Sequence, residues 1–232
     1  MATLIANLSM SIDGFVADPD DGVEELFGWY RNGTVEVDGG NGRVFRMTET
    51  SATVLRDAFA QIGAFLVGRR LYDHTRGWEG RPPVDAPMVV VTHDPPPDWP
   101  RDGVPVTFVS DGIEHAVAEA ERLAGDRVVS VAGAAVAREC LGAGLLDEIW
   151  VNLIPVVLGT GIPFFAGVAN APVRLEDPEV TEASGVRTCA TACRSEVRPA
   201  LPHRALSVPQ DASFPFPQDA AAGGRVPAVA AA

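Results

Sequence analysis

The stretch VAGAAVARECLGAGLLDEIWVNLIPVVLGTGIPFF, residues 131–165, carries the pattern that decides the fold. The valine-rich run RVVSVAG leads into it and reads as a short buried strand that ends at Gly133. AAVARECLGAG follows with apolar residues at helical spacing and is stopped by Gly142 and Gly144. LLDEIWVNLIPVV, residues 145–157, is then a long strand rich in Ile, Leu and Val. A strand, a tight turn, a helix and a returning strand form a crossover unit, which makes neighbouring strands parallel.

The same alternation extends outward in both directions. TLIANLSM (3–10) reads as a strand, and SIDGFVAD (11–18) carries an Asp-Gly turn signal into an irregular, glycine-rich segment reaching about residue 47. TSATVLRDAFAQIG (50–63) is expected to be a helix capped by Thr50 or Ser51, with Val54, Leu55, Ala58, Phe59 and Ile62 on one face. AFLVG (64–68) is a strand, and RRLYDHTRGW begins another helix. APMVVVTH (86–93) and VPVTFVS (104–110) are strands on either side of the rigid, proline-rich HDPPPDWPRDG. DGIEHAVAEAERLAGD (111–126) is an amphipathic helix that Asp111 can cap and Gly125 stops. This order implies an α/β fold: a mainly parallel, twisted central sheet with helices on both faces. In such sheets ligands sit beyond the carboxyl ends of the strands, where both VGRRLYD and VAGAAV fall.

Composition narrows the function classes. The 232 residues include no lysine, and 18 arginines against 31 carboxylates leave a net charge of -13, which argues against sequence-independent nucleic-acid binding. No apolar run approaches the ~20 residues a membrane-spanning helix needs. The opening MATLIANLSMSIDG has no basic n-region, so a cytoplasmic chain is expected. Cys140, Cys189 and Cys193 form an odd, sparse set suited to a reducing compartment, and with only a distant His203 they do not suggest a metal site.

In so acidic a chain the adjacent Arg69 and Arg70 of FLVGRRLYD (65–73) call for a reason. A helix N-terminus carries roughly +0.5 charge and free N–H groups, and forked guanidinium donors suit phosphate oxygens. The plainer alternative is a solvated first helical turn paired with Asp57, Asp73 or Glu79.

SMSIDGFVA (9–17), VGRRLYD (67–73), VVVTH (89–93) and the run from 131 to 165 together resemble the dihydrofolate reductase-like family, which includes the C-terminal reductase domain of the bifunctional riboflavin-biosynthesis deaminase/reductase. The resemblance covers residues 3 to about 187 and implies an NADPH-dependent reductase of a pterin-like or ribosylaminopyrimidine-like small molecule. It implies that Gly68, Arg69 and Arg70 contact the cofactor's phosphates, with both arginines facing the adenosine 2'-phosphate, that Leu71 belongs to the same cofactor-binding turn, and that Thr92 and His93 flank the adenosine side. The turn Ala132, Gly133, Ala134, Ala135 and Val136 would wrap the pyrophosphate. Asp13 would be the catalytic carboxylate, with Ile12, Gly14, Trp29, Leu158, Gly161 and Phe164 around the substrate. Relatives often carry threonine where Leu71 stands and a Gly-Gly pair where Ala132 and Gly133 stand. The zinc signature of a deaminase is absent. The resemblance allows a homodimer, and a nucleotide-binding protein of the same fold without turnover is the alternative.

Bland readings stand beside several of these residues. Asp13 can serve only its turn, Phe164 and Phe165 can be core, Trp29 and Tyr30 can anchor a loop instead of forming a lid, and His74 needs no role. Residues 188–232 read as a Pro/Ala-rich, disordered tail. Relatives usually finish with a strand like V-T-H-L-R-Y-R-V, and THLRYRVP with one base lost from its threonine codon reads RTCATACR, residues 187–194. An out-of-frame tail that leaves the sheet without its last strand is therefore expected. An intact mass of 24.4 kDa from the native gene would place the base loss in the gene and not in its sequencing.

Overall fold

β1 (Thr3–Ser11), β5 (Ile62–Gly68) and β8 (Val128–Ala132) lie side by side at the centre of an eight-stranded sheet. The structure, a computed structural model, describes residues 2–40, 42–97 and 103–193. The remaining elements are β2 (Phe15–Ala17), β3 (Val35–Asp38), β4 (Val44–Met47), α1 (Glu49–Gln61), α2 (Arg69–His74), β6 (Met88–Val91), β7 (Val106–Val109) and α3 (Ile113–Ala124). They continue with α4 (Ala134–Gly142), β9 (Glu148–Ile154), β10 (Ile162–Pro163), β11 (Glu179–Ala183) and β12 (Val186–Ala192). The strand order is β11-β12-β9-β1-β8-β5-β6-β7. From β9 to β7 every pairing is parallel, and β12 and β11 add an antiparallel edge.

Alternation along the central strands sorts side chains to two faces. Leu4, Ala6, Leu66, Val129 and Val131 pack under Ala116, Val117 and Ala120 of α3 and Val136, Ala137 and Cys140 of α4. On the opposite face Phe65, Val67, Met88 and Val90 meet Leu71 and Tyr72 of α2, and Ile5, Val128 and Trp150 meet Ala58 of α1. Fully burying one such side chain stabilises the fold by about 1.5–3 kcal/mol, so this two-sided core outweighs any single surface contact. The expected mainly parallel sheet with helices on both faces is what the chain forms.

Several boundaries differ from expectation for local reasons. Thr48, not Thr50 or Ser51, caps α1: its Oγ1 accepts the Ser51 N–H at 3.3 Å, and Ser51 is itself buried in the first turn. Ile62 leaves the helix and starts β5. Asp111 does not cap α3; Gly112, at φ 103°, is the cap residue, and the Asp111 carboxylate faces Ser110 instead. β9 starts only at Glu148, because the Asp147 side chain turns to accept the Leu4 N–H at 2.7 Å.

The largest difference lies at the end of the described chain. The expected break at 187/188 falls inside β12, which pairs antiparallel with β9 in the register Thr188 opposite Asn152 and Ala190 opposite Trp150. TCATA succeeds as a strand because its small and β-branched residues alternate: Thr188 and Ala190 are 5% and 2% exposed, and Arg187 points outward. Thr188 Oγ1 donates to Asn152 Oδ1 at 2.8 Å, and Asn152 Nδ2 donates to Asn7 Oδ1 at 2.7 Å, a polar ladder across three strands. The tail reading for residues 194–232 lies outside the described residues.

Urea unfolding checks both points. Leu66→Ala, at a fully buried central position, is expected to lose about 2–5 kcal/mol, whereas Val180→Ala on the exposed edge should stay within about 0.5 kcal/mol. Thr188→Val should lose about 1–2 kcal/mol by stranding the Asn152 carbonyl; no loss would mean that β12 is not docked.

Candidate functional site

Parallel pairing brings the carboxyl ends of β1, β8 and β5 to one edge of the sheet, and a cavity of about 200 Å³ opens there. Leu8 and Ser9 of β1 and Ala132 of β8 contribute from the sheet, while Val16 and Ala17 of β2 and Ile162 of β10 form another wall. Arg70, Leu71 and His74 come from α2, and Ala134, Ala135, Val136 and Arg138 come from α4. The irregular segment after β2 adds Asp21, Val23 and Phe27.

The turn from β8 into α4 shapes this space. Gly133 sits at φ +100°, a conformation disfavoured for residues with a Cβ, and a Cβ there would lie 3.6 Å from Leu71 Cδ2. No side chain caps α4, so the first turn, Ala134 to Val136, brings uncapped N–H groups to the cavity wall together with the positive end of a nine-residue helix. Leu71 packs beside Gly133, where a threonine would have offered a hydroxyl.

Arg138 holds the opposite wall. Its Nη1 donates to the Pro163 carbonyl at 2.5 Å and to the Phe164 carbonyl at 3.4 Å, which fastens β10 to α4. β10 pairs with β2 so closely that a Cβ on Gly161 would meet the Ala17 carbonyl oxygen at 2.2 Å.

The two adjacent arginines part company. Arg69 Nε donates to both oxygens of Asp73 at 2.8 and 2.9 Å, and its Nη1 donates to the Asp94 carbonyl. The Asp73 hydrogen bond holds the Arg69 guanidinium above its ordinary pKa. The plain surface reading therefore describes Arg69, which does not line the cavity. Arg70 does line it, and its partner is none of the three expected carboxylates but Asp21, whose Oδ2 accepts from Nη2 at 3.0 Å and Nε at 3.1 Å.

Of the residues expected around a cofactor, Gly68, Arg70, Leu71 and Ala132 through Val136 come together on the wall. Thr92 and His93 follow β6 outside it; the Thr92 N–H donates to the Val109 carbonyl at 3.0 Å, and Arg69 reaches the same loop through Asp94.

The residues expected around a substrate are placed elsewhere. Asp13 accepts the Leu158 and Gly159 N–H groups at 3.1 and 2.7 Å, fastening the turn after β1 to the loop after β9. Its hydrogen bond with Ser11, and behind it those two N–H groups, hold its carboxyl below the usual range. Ile12 is 60% exposed and Gly14 occupies φ +90° in the same turn, and neither lines the cavity. Trp29 is an anchor, not a lid: it is buried, stacks on Tyr30 at 4.1 Å and donates Nε1–H to Ser9 Oγ at 3.2 Å. Phe164 is core, 1% exposed and stacked on Phe165 at 4.0 Å, because β10 turns it inward against the α4 face of the sheet.

Sequence reading missed Ser9, Asp21, Phe27, Arg138 and Ile162 as wall residues. The DPDDG turn at 18–22 was a signal for Asp21; Arg138 and Ile162 depend on long-range pairing that no local pattern reports. Among the described residues no cluster of three or more His, Cys, Asp or Glu side chains could hold a metal ion. Nor is any of their helices long and apolar enough to cross a membrane.

Comparison with known proteins bears on the family and the fold. Residues 2–186 match the sequence model of the family described as RibD C-terminal domain. The uncharacterized protein YwjB of Bacillus subtilis is 24% identical over 163 residues, which span 70% of this chain and 82% of that protein. A solved structure from Shewanella sp. PV-4, provisionally named a riboflavin biosynthesis protein, superposes with a TM-score of 0.62 at 19% identity, covering 84% of this chain and all of the other. Dihydrofolate reductase from Enterococcus faecalis, complexed with NADP(H) and RAB-propyl, gives a TM-score of 0.50 at 19% identity over 83% of this chain and 96% of that one. The diaminohydroxyphosphoribosylaminopyrimidine deaminase/5-amino-6-(5-phosphoribosylamino)uracil reductase of Thermotoga maritima gives 0.53 at 15% identity; the match covers 83% of this chain and 57% of that longer one. The chain belongs to the RibD C-terminal domain family and has the dihydrofolate reductase-like α/β fold.

Proposed function

We propose that the chain is an NADPH-dependent reductase of a pterin-like or ribosylaminopyrimidine-like small molecule. One observation carries the reading: the uncapped first turn of α4, the Cβ-free Gly68 and Gly133, and the Arg70 guanidinium converge on a single cavity at the carboxyl edge of the sheet. Such a cradle suits a pyrophosphate, which needs N–H donors, positive potential and close backbone approach together. The complex of the Enterococcus faecalis reductase with NADP(H) supports the cofactor, and the reductase in the Thermotoga maritima protein's name supports the substrate class.

When bound, the dinucleotide supplies hydride; the chain supplies position and environment. Val16, Phe27, Leu71 and Ile162 give apolar walls that exclude water and hold a flat ring. Arg138 fixes the β10 wall through two carbonyls, so that Ile162 keeps its place. In this reading Arg69, which Asp73 and the Asp94 carbonyl hold at the surface beside Thr92 and His93, would exchange Asp73 for the adenosine 2'-phosphate and so favour NADPH over NADH. Asp13 acts as a positioning group: it ties the loop at 158–159 to the turn that launches β2, and the Phe164 N–H donates to the Gly14 carbonyl in that turn at 2.9 Å.

Titration with NADPH, followed by nicotinamide fluorescence, tests the reading; absence of binding at millimolar NADPH or NADH defeats it. Ala135→Asp should weaken NADPH binding by roughly tenfold or more while leaving the thermal midpoint unchanged, because a carboxylate in the first turn suits the helix but repels phosphate. Asp13 gives a pH signature. Its folded-state pKa is depressed below 3.8, so its anchoring is present above that pH and fades as the pH falls through the lower folded value. Amide exchange at Leu158 and Gly159 should be slow in the wild type at neutral pH and faster in Asp13→Ala; equal rates would remove Asp13 from this role.

A further inference from the structure

We propose that Asp21 sets the cavity's affinity for phosphate by occupying Arg70 as an internal competitor, so that an anionic ligand displaces a carboxylate of the chain before it engages the guanidinium. The inference rests on the reading that this cavity receives a phosphate-bearing ligand.

Both partners line the cavity, and Asp21 is the one carboxylate among its described lining residues. Nε and Nη2 of Arg70 converge on Asp21 Oδ2 at 3.1 and 3.0 Å, which occupies the guanidinium edge that presents two parallel donors to an oxyanion. A phosphate seeking that edge meets it already filled. The Asp21 side chain is the more sheltered partner, at 26% exposure against 68% for Arg70. Arg138, the other guanidinium on the wall, is held by the Pro163 and Phe164 carbonyls, so Arg70 is the cation whose partner an entering anion can exchange.

The loop that carries Asp21 is fixed without the ion pair. Asp18 Oδ1 accepts the N–H groups of Asp20 at 2.8 Å and Gly22 at 2.7 Å, and the Asp18 N–H donates to the Gly22 carbonyl at 2.9 Å. Within this turn Asp21 sits at φ +65°, a left-handed conformation that Asp and Asn tolerate better than most residues. The turn therefore presents the carboxylate to Arg70 whether or not the pair forms. Displacement would cost the Asp21 contact and leave the turn intact. In a chain of net charge -13, such a counter-charge reduces the positive potential that would otherwise collect phosphate at this wall.

The test uses the full chain with two probes: inorganic pyrophosphate, followed by calorimetry, and NADPH, followed by fluorescence. Asp21→Asn keeps the side-chain shape and its tolerance of positive φ while removing the charge. It is expected to bind both probes roughly fivefold to tenfold more tightly than the wild type. In an Arg70→Ala background the same substitution relieves only the direct repulsion between carboxylate and phosphate, so its gain should be clearly smaller, by about threefold or more, than in the wild-type background. Asp21→Gly, also suited to φ +65°, should behave like Asp21→Asn and provides a second variant should the first fold poorly. Pyrophosphate binding that Asp21→Asn and Asp21→Gly leave unchanged, or a gain of the same size without Arg70, overturns the inference. The two failures are separable: coupled pyrophosphate binding without NADPH binding sinks the dinucleotide reading alone, and NADPH binding without coupling sinks the competition alone.

Discussion

The parallel pairing of β5, β8 and β1 is the constraint on which the rest of the molecule depends. Parallel strands cannot be joined by hairpins, so each connection must travel back along a face of the sheet, and helices are the compact way to do so. That requirement places α3 and α4 over one face and α1 and α2 over the other. It also brings every carboxyl end to the same edge. Gly68 at the end of β5, Gly133 just beyond β8 and Ser9 near the end of β1 belong to distant parts of the chain, yet they meet around one space because the strands that carry them run the same way.

Charge is distributed around that space with some economy. In a strongly acidic chain, adjacent arginines at a strand-to-helix junction could both have faced one ligand, but their side chains leave the backbone in different directions. Arg69 folds back along α2 to Asp73 and across to the loop after β6. Arg70 reaches the irregular segment after β2 and finds Asp21. One arginine thus braces the junction of β5 and α2, and the other closes an ion pair at the cavity wall. The remaining guanidinium, Arg138, uses backbone carbonyls and so organises β10 without adding a fixed counter-charge.

Much of the architecture was legible because it rests on local periodicity. The apolar run of β5, the valine-rich runs of β6 and β8, the apolar stripe of α3 and the glycine stops after α3 and α4 each announce themselves within a few residues. That VGRRLYD and VAGAAV would meet at one end of the sheet was legible for the same reason, since both are contiguous stretches at strand ends, and both line the cavity there. β12 was not. Its composition, TCATA, resembles linker sequence, and it becomes a strand only where β9 offers Asn152 and Trp150 as partners for Thr188 and Ala190. The burial of Phe164 and Trp29 was not legible either: both are large apolar side chains, and only long-range packing decides that the core takes them.

By itself the sequence determined the alternation of strands and helices, the parallel sheet and the two glycine-bearing turns at its carboxyl edge, because each depends on side-chain period, β-branching and the conformational freedom of glycine over short distances. Only the tertiary structure decided which arginine meets the cavity, which carboxylate meets that arginine, and that Asp13 fastens loops beyond the cavity. Those outcomes depend on contacts such as Arg70 to Asp21 and Asp13 to Gly159, between residues far apart in the chain. Their geometry exists only once strand register has been fixed across the sheet, and no local pattern encodes it.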